Sequence, residues 1–192
     1  MKGKNFSCNN LGQRKKSDFY QTPLSMTEQF LLRERFDRKK TVLEPACGKN
    51  AIVKVLNKLY FQKITSYDLS EGKNFLKDKR QFDYIITNPP YSLSFEFIMH
   101  AREITREKFA FLLPLAYLHG QKRYEQIYRN PYFKLKTIYV FTRYPLLSET
   151  IRADGRYKTG MMVYAWFVFD KMYIGHPMVE WIDNNQYVIN SR

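Results

Sequence analysis

Cysteine is nearly absent: the 192 residues hold only Cys8 and Cys47, and no CxxC pair. A disulfide framework or a zinc ribbon needs more thiols at closer spacing, so neither organises this fold. Histidine is as scarce. His100, His119 and His176 stand alone, without metal-ligand spacing, so no metal centre is expected. No run of 18 apolar residues occurs, and no Lys-rich amphipathic helix stands out, which leaves a membrane role unsupported. The first 17 residues, MKGKNFSCNNLGQRKKS, are basic but lack the apolar core of a secretory signal. Together these absences predict a cytoplasmic, reduced and metal-free protein. Acidic residues are also in deficit, 18 against 32 Lys and Arg, for a net charge of +14. Such an excess concentrates polyanions near the surface, and nucleic acid is the commonest of them.

What is present is a globular composition, 44% hydrophobic and 26% charged, at a length that suits one domain better than two. Residues 1–17 are polar and expected to be mobile; 18–192 form the domain. Aromatics reach 17%, with 15 Tyr and 15 Phe, either as core packing or as surfaces that stack on bases. After a Thr-Pro start, Leu24, Met26, Phe30, Leu31 and Phe36 recur at helical spacing. A strand is predicted over 41–46, a helix over 51–61 with Ile52, Val55, Leu56 and Leu59 on one face, and a strand over 63–69. FDYIITNPP (82–90) reads as a strand closed by two prolines, followed by a helix at 94–104 and a buried strand at 109–118. A helix over 121–130 and strands over 135–143 and 161–170 complete the pattern. Alternating strands and helices predict an α/β domain with a mostly parallel sheet covered on both faces. The last two strands lack a helix between them and should pair as an antiparallel hairpin.

The chemistry concentrates at Asn88-Pro89-Pro90-Tyr91. This turn follows an apolar strand, at the carboxyl edge where open α/β sheets bind ligands. Two prolines fix the backbone and remove two N–H donors, which leaves acceptors: the Asn88 side-chain oxygen and backbone carbonyls. Acceptors are what hold an amino group. The lone pair of an aromatic exocyclic amine is conjugated with its ring. Two acceptors on its hydrogens draw the nitrogen toward tetrahedral geometry and free that pair for attack. Tyr91 offers a flat face to an extruded base, and such stacking is worth ~1–3 kcal/mol. A rigid strand-to-loop turn without chemistry would also use Asn-Pro, but less readily the whole combination.

These segments resemble the amino-methyltransferases that use S-adenosylmethionine, and most of all the N6-adenine DNA methyltransferases. The likeness covers about residues 18–170. DFYQTP (18–23) is similar to the family's F-x-T-P segment, VLEPACG (42–48) to its cofactor loop, and NPPY to its catalytic motif, in the same order. A phage-type enzyme of similar size is suggested by YAWFVFDK (164–171). The resemblance implies a Rossmann-like methyltransferase sheet and S-adenosylmethionine as cofactor. It makes Glu44 the partner of the cofactor's ammonium, with Pro45 and Ala46 in the same loop, and Gly48 the point of close backbone approach. It further implies that Asp68 accepts from the ribose hydroxyls, that Asn74 and Phe75 flank the adenine, and that Tyr20, Thr22 and Pro23 cover the cofactor from the other side.

Three positions depart from the family pattern. Asn50 stands where a second glycine is frequent, and Asn tolerates positive φ. Asn74 stands where an acid is common, and its amide oxygen still accepts a hydrogen bond. The third departure is larger: about 22 residues follow Asp170, too few for a separate target-recognition domain. Nucleic-acid contacts are therefore expected from Arg143 and from Arg152, Arg156 and Lys158 in the 144–160 insertion, or from a specificity partner or oligomer. An ordinary solvated loop is the competing reading of that insertion. Three further functions stay open: methylation of adenine N6 or guanine N2 in RNA, methylation of a protein glutamine amide, and a silent nucleic-acid-binding module. Forty residues before Thr41 are few for the helical domain of the glutamine enzymes, and an intact Glu44, Asp68 and Asn88 argue against silence.

Overall fold

The computed structural model describes residues 22–142 and 163–183. Seven strands form one sheet among them: β1 (Thr41–Glu44), β2 (Lys63–Ser66), β3 (Phe82–Thr87), β4 (Thr105–Pro114), β5 (Lys134–Phe141), β6 (Tyr164–Asp170) and β7 (Met178–Ile182). Their spatial order is β2-β1-β3-β4-β6-β5-β7. β1 pairs in parallel with β2 and β3, β3 with β4, and β5 with β7. β6 runs antiparallel to both β4 and β5, so the expected hairpin of the last two long strands is present. Parallel strands buried on both faces need continuous apolar runs. Phe109, Ala110, Phe111, Leu112 and Leu113 in β4, and Ala165 through Phe169 in β6, are all 0% exposed.

Helices α1 (Leu24–Arg33) and α2 (Ala51–Lys58) bury Met26, Phe30, Ile52, Val55 and Leu56 in a core that includes Trp166 and Tyr139. Phe30 stacks on Trp166 at 4.6 Å between ring centroids. A second core forms around α3 (Ser94–Ile104), whose Phe97, Ile98 and Ala101 meet Leu43, Ile85 and Phe111. Aromatic side chains dominate the largest fully buried positions, with Phe109, Phe167 and Phe169 beside Trp166 and Phe30. Most of the aromatic excess is therefore packing, at about 2–3 kcal/mol of burial per ring.

Three elements differ from the sequence expectation. The strand predicted over 109–118 starts at Thr105 and ends at Pro114; Leu115–Leu118 form a 3₁₀ turn, because proline fixes φ and the chain leaves the sheet there. The helix predicted over 121–130 is a single α-turn, α4 (Gln121–Arg123), running into a π-helical turn, Tyr124–Tyr128. Finally, β7 has no counterpart in the sequence pattern. It follows the breaker run Gly175-His176-Pro177 and leaves Met178, Val179, Glu180 and Trp181 exposed, so it shows no burial alternation. The basic N-terminus and the 144–160 insertion lie outside the described residues.

Candidate active site at the carboxyl edge of the sheet

Register sets the site. Glu44 pairs with Ser66, Leu43 with Ile85, and Thr87 with Phe111, so β1, β2, β3 and β4 reach the same edge side by side. The residues that leave that edge are Glu44 to Gly48, Tyr67 and Asp68, and Thr87 to Tyr91.

Glu44 is 0% exposed. Its Oε1 accepts from the Thr87 hydroxyl at 2.7 Å and from the Ala46 N–H at 3.1 Å. Its Oε2 is buried without a hydrogen-bond partner among the described residues. Burial pushes the carboxyl up to about 8, with Thr87 and Ala46 opposing that rise and the nearby Asp68 charge adding to it. A buried carboxylate oxygen lacking a donor is costly and suits a cationic ligand. Pro45 beside it is buried, and Ala46 half-buried. Gly48 has φ 47° and Asn50 φ 61°, so the turn into α2 uses the left-handed region twice, the second time at an Asn.

Asp68 sits where the chain leaves β2. Its Oδ2 accepts from the Gly48 N–H at 3.1 Å, and its Oδ1 from the Ser70 N–H and hydroxyl at 2.9 and 2.8 Å. Burial alone would raise its pKa; the donors of Ser70 and Gly48 outweigh it and hold the carboxyl below its ordinary value. Asp68 thus ties the two cofactor-loop candidates together, with part of its acceptor capacity already committed. Asn74 is exposed and caps the 3₁₀ turn Phe75–Lys77 by accepting from the Leu76 N–H. Phe75 is 2% exposed, packed on Phe97 at 4.6 Å and edge-on to His100 at 5.0 Å. Its ring is built into the second core, which leaves little of its face for a ligand.

At the NPPY turn, Asn88 donates from Nδ2 to the Thr22 hydroxyl at 3.0 Å. Thr22 is 4% exposed and, with the half-buried Pro23, precedes α1. The segment before α1 therefore reaches the NPPY turn directly. In this orientation Nδ2 is the donor and Oδ1 the acceptor. Pro89 is buried. The Pro90 carbonyl is committed to the turn, accepting from the Leu93 N–H at 2.9 Å and the Ser94 hydroxyl at 3.3 Å. Tyr91 opens a 3₁₀ turn, Tyr91–Leu93, and its ring lies against Tyr164 at 5.2 Å.

Thr22, Pro23, Glu44, Pro45, Ala46, Gly48, Asp68 and Asn88 to Tyr91 thus gather at one edge. Tyr20, Arg143, Arg152, Arg156 and Lys158 lie outside the described residues. Sequence reasoning missed Thr87 and Tyr164. Thr87 was legible as the polar residue ending an apolar strand; Tyr164 carries no local signal, because its role comes from the sheet order. No group of three or more His, Cys, Asp or Glu placed to hold a metal occurs among the described residues. No helix among them is long and apolar enough to cross a membrane.

The architecture is a Rossmann-like methyltransferase sheet. Among solved structures, the type I restriction-modification methyltransferase subunit from Streptococcus thermophilus superposes with a TM-score of 0.60 at 14% identity over 90% of this chain. The M protein of the type I restriction enzyme EcoKI gives 0.54 at 14% identity over 83%, and the type IIG restriction endonuclease BpuSI gives 0.55 at 13% over 79%. The chain spans 49% of the first, 45% of the second and 25% of the third. No family model matches the chain, and no curated protein does.

Proposed function

We propose that this chain is an S-adenosylmethionine-dependent methyltransferase that acts on the N6 amine of adenine in DNA. The observation that carries the reading is the convergence of Glu44, Asp68 and Asn88 at the ends of three adjacent parallel strands. The donor set fits the cofactor. The orphaned, buried Oε2 of Glu44 suits an ammonium, Asp68 suits ribose hydroxyls, and Gly48 permits close backbone approach. When bound, S-adenosylmethionine supplies a methyl group on a sulfonium, and nothing more is asked of it.

The protein's part is to prepare the amine. Asn88 Oδ1 accepts one amine hydrogen, and the Pro89 carbonyl accepts the other, since the Pro90 carbonyl is spent on the turn. Both acceptors polarise the nitrogen toward the incoming methyl. Tyr91, braced by Tyr164, stacks on the extruded base. No side chain has to act as strong base, because the amine proton leaves to solvent once nitrogen carries the methyl. The surplus of Lys and Arg supports a polynucleotide over a protein amide. RNA shares the phosphate chemistry and is the alternative. Two of the solved neighbours are a subunit and an M protein of type I restriction-modification enzymes, so a partner that supplies target recognition belongs to the same proposal.

The test is transfer of labelled methyl to unmethylated duplex DNA and, in parallel, to RNA, followed by nucleoside analysis. N6-methyldeoxyadenosine is expected. Label in RNA alone would replace the polymer, and label in neither, with the cofactor bound, would overturn the nucleic-acid reading.

A further inference from the structure

The turns that leave β3 and β4 form one lip beside the proposed base pocket. Thr87 and Phe111 are register partners, so the 3₁₀ turns Tyr91–Leu93 and Leu115–Leu118 emerge from neighbouring strands at the same edge. A cation joins them: the Lys122 ammonium, just beyond the second turn, lies 4.0 Å from the ring centroid of Phe95, just beyond the first. Each turn also exposes a leucine, Leu93 at 37% and Leu118 at 41%. The lip is braced from behind. Arg123 stacks on the Tyr117 ring at 4.7 Å and donates from Nε and Nη2 to the His119 carbonyl. Tyr128 donates to the Tyr117 carbonyl at 2.9 Å. Among the described residues the nearby carboxylates are Glu96 and Glu125, and Glu125 already accepts from Gln121.

We infer that this lip seats the polynucleotide strand that flanks the target base, an inference that rests on the function proposed above. Lys122 contacts a backbone phosphate, and Leu118 with Leu93 fills the step that an extruded base vacates. Two physical arguments carry this. An exposed apolar side chain beside a base pocket suits a stacked step that must be opened, because apolar wedges are how proteins hold such steps open. A cation held over an aromatic ring is fixed in place yet keeps its full charge for a phosphate, so it pays less ordering entropy than a free lysine. Nothing in this assignment requires base-specific contacts; it predicts affinity and flipping competence, with sequence choice arising elsewhere.

The test uses the full chain with S-adenosylhomocysteine present, so that binding is read without turnover. Labelled duplex DNA, the single strand and the matching RNA duplex and single strand are titrated across salt concentrations. Lys122→Gln should lower the slope of log affinity against log salt by about 0.9 on the DNA duplex, the value for one lost phosphate contact. Lys39→Gln, which removes the same charge from the exposed stretch before β1, should leave that slope unchanged. Leu118→Ala should weaken duplex binding on the order of tenfold while leaving single-strand binding within about twofold, because a single strand has no duplex step to open. Equal slopes for both lysine variants and wild type, equal losses for both, or equal losses on duplex and single strand for Leu118→Ala would overturn the lip. The same pattern on RNA but not DNA would keep the lip and move the substrate. If the wild-type chain binds its cofactor but none of the polymers, the proposed function falls with it; if wild type binds and only the variants behave as wild type, the lip alone falls.

Discussion

Two buried glutamates ten residues apart occupy opposite edges of the same sheet and meet opposite fates. Glu34, just past α1 at the amino edge, is 3% exposed and fully answered. Its Oε1 accepts from Lys108 at 2.8 Å and Lys136 at 2.9 Å, and its Oε2 from the Tyr139 hydroxyl at 3.0 Å. Burial would raise its pKa, but the two lysines outweigh that and hold the carboxyl below its ordinary value. Glu44, at the carboxyl edge, is as buried but meets no cation among the described residues, and its pKa moves up instead. The first glutamate is structural: it pins the end of α1 to β4 and β5. The second keeps an oxygen without a partner among the described residues, which is what the proposed cofactor site requires. A saturated charge marks scaffold, and an unsaturated one marks a site.

The largest test of that division is at the reactive end. Asn88→Ala removes the acceptor that holds the amine, and turnover should fall by at least about 10²–10³-fold while the cofactor dissociation constant stays within about threefold. Isothermal titration beside single-turnover kinetics separates the two; a parallel loss of cofactor binding would make Asn88 part of the cofactor site only. Next in size is the amino edge. Glu34→Ala leaves Lys108 and Lys136, half-buried at the edge, with only Asp170 at 3.7 and 3.9 Å as counter-charge, and should cost about 2 kcal/mol in urea denaturation. Its methyl-transfer rate at a temperature where the variant is folded should match wild type. A rate loss there would mean that the two edges are coupled.

Thr22→Val probes the contact between the segment before α1 and the NPPY turn. Without the hydroxyl acceptor, the Asn88 amide loses a contact that helps to orient its oxygen toward the amine. The rate constant for transfer should drop about tenfold, with the cofactor constant nearly unmoved, and Thr22→Ser should restore most of it. Failure of serine to rescue would indicate that the methyl group, through packing, is what Thr22 contributes.

How much of this was legible beforehand follows from where each signal lives. The parallel strands announced themselves because burial on both faces demands unbroken apolar runs, as in FDYIIT and FAFLLP. NPPY and Glu44 were legible because their chemistry is local in the chain. β7 was not, since an exposed edge strand needs no pattern. Neither was the insertion of β6 between β4 and β5, because neighbour choice is decided by long-range packing. Thr22 was placed on the cofactor side by resemblance, whereas the structure gives it a direct partner in Asn88, 66 residues away. Phe75 shows the reverse: a position read toward the adenine is packed into the core against Phe97.

The smallest expected effect is the most specific to the comparison. Because the folded pKa of Glu44 stands at about 8 against an ordinary 4.5, the folded chain keeps a proton between those values that the unfolded chain has lost. The unfolded state then binds fewer protons, so this group's contribution to stability falls as pH rises from 4.5 through 8. Glu44→Gln removes the titration while keeping the shape and the Thr87 contact. The cofactor-free variant should therefore melt a few degrees above wild type near pH 8 and close to it near pH 5. Added S-adenosylmethionine should narrow the gap at pH 8, because its ammonium stabilises the carboxylate that the variant lacks. Among the described residues the groups facing this carboxylate are Thr87, which is neutral, the Cys47 thiol, pushed up to about 11 and so neutral across this range, and Asp68, whose charge only strengthens the trend. At the other edge Glu34→Gln should show the opposite sign, with the deficit of the variant largest above pH 5, where wild-type Glu34 is ionised and its lysines are answered. Parallel pH profiles for the two variants would erase the distinction between a scaffold carboxylate and a site carboxylate, and with it the reason for placing the cofactor at Glu44.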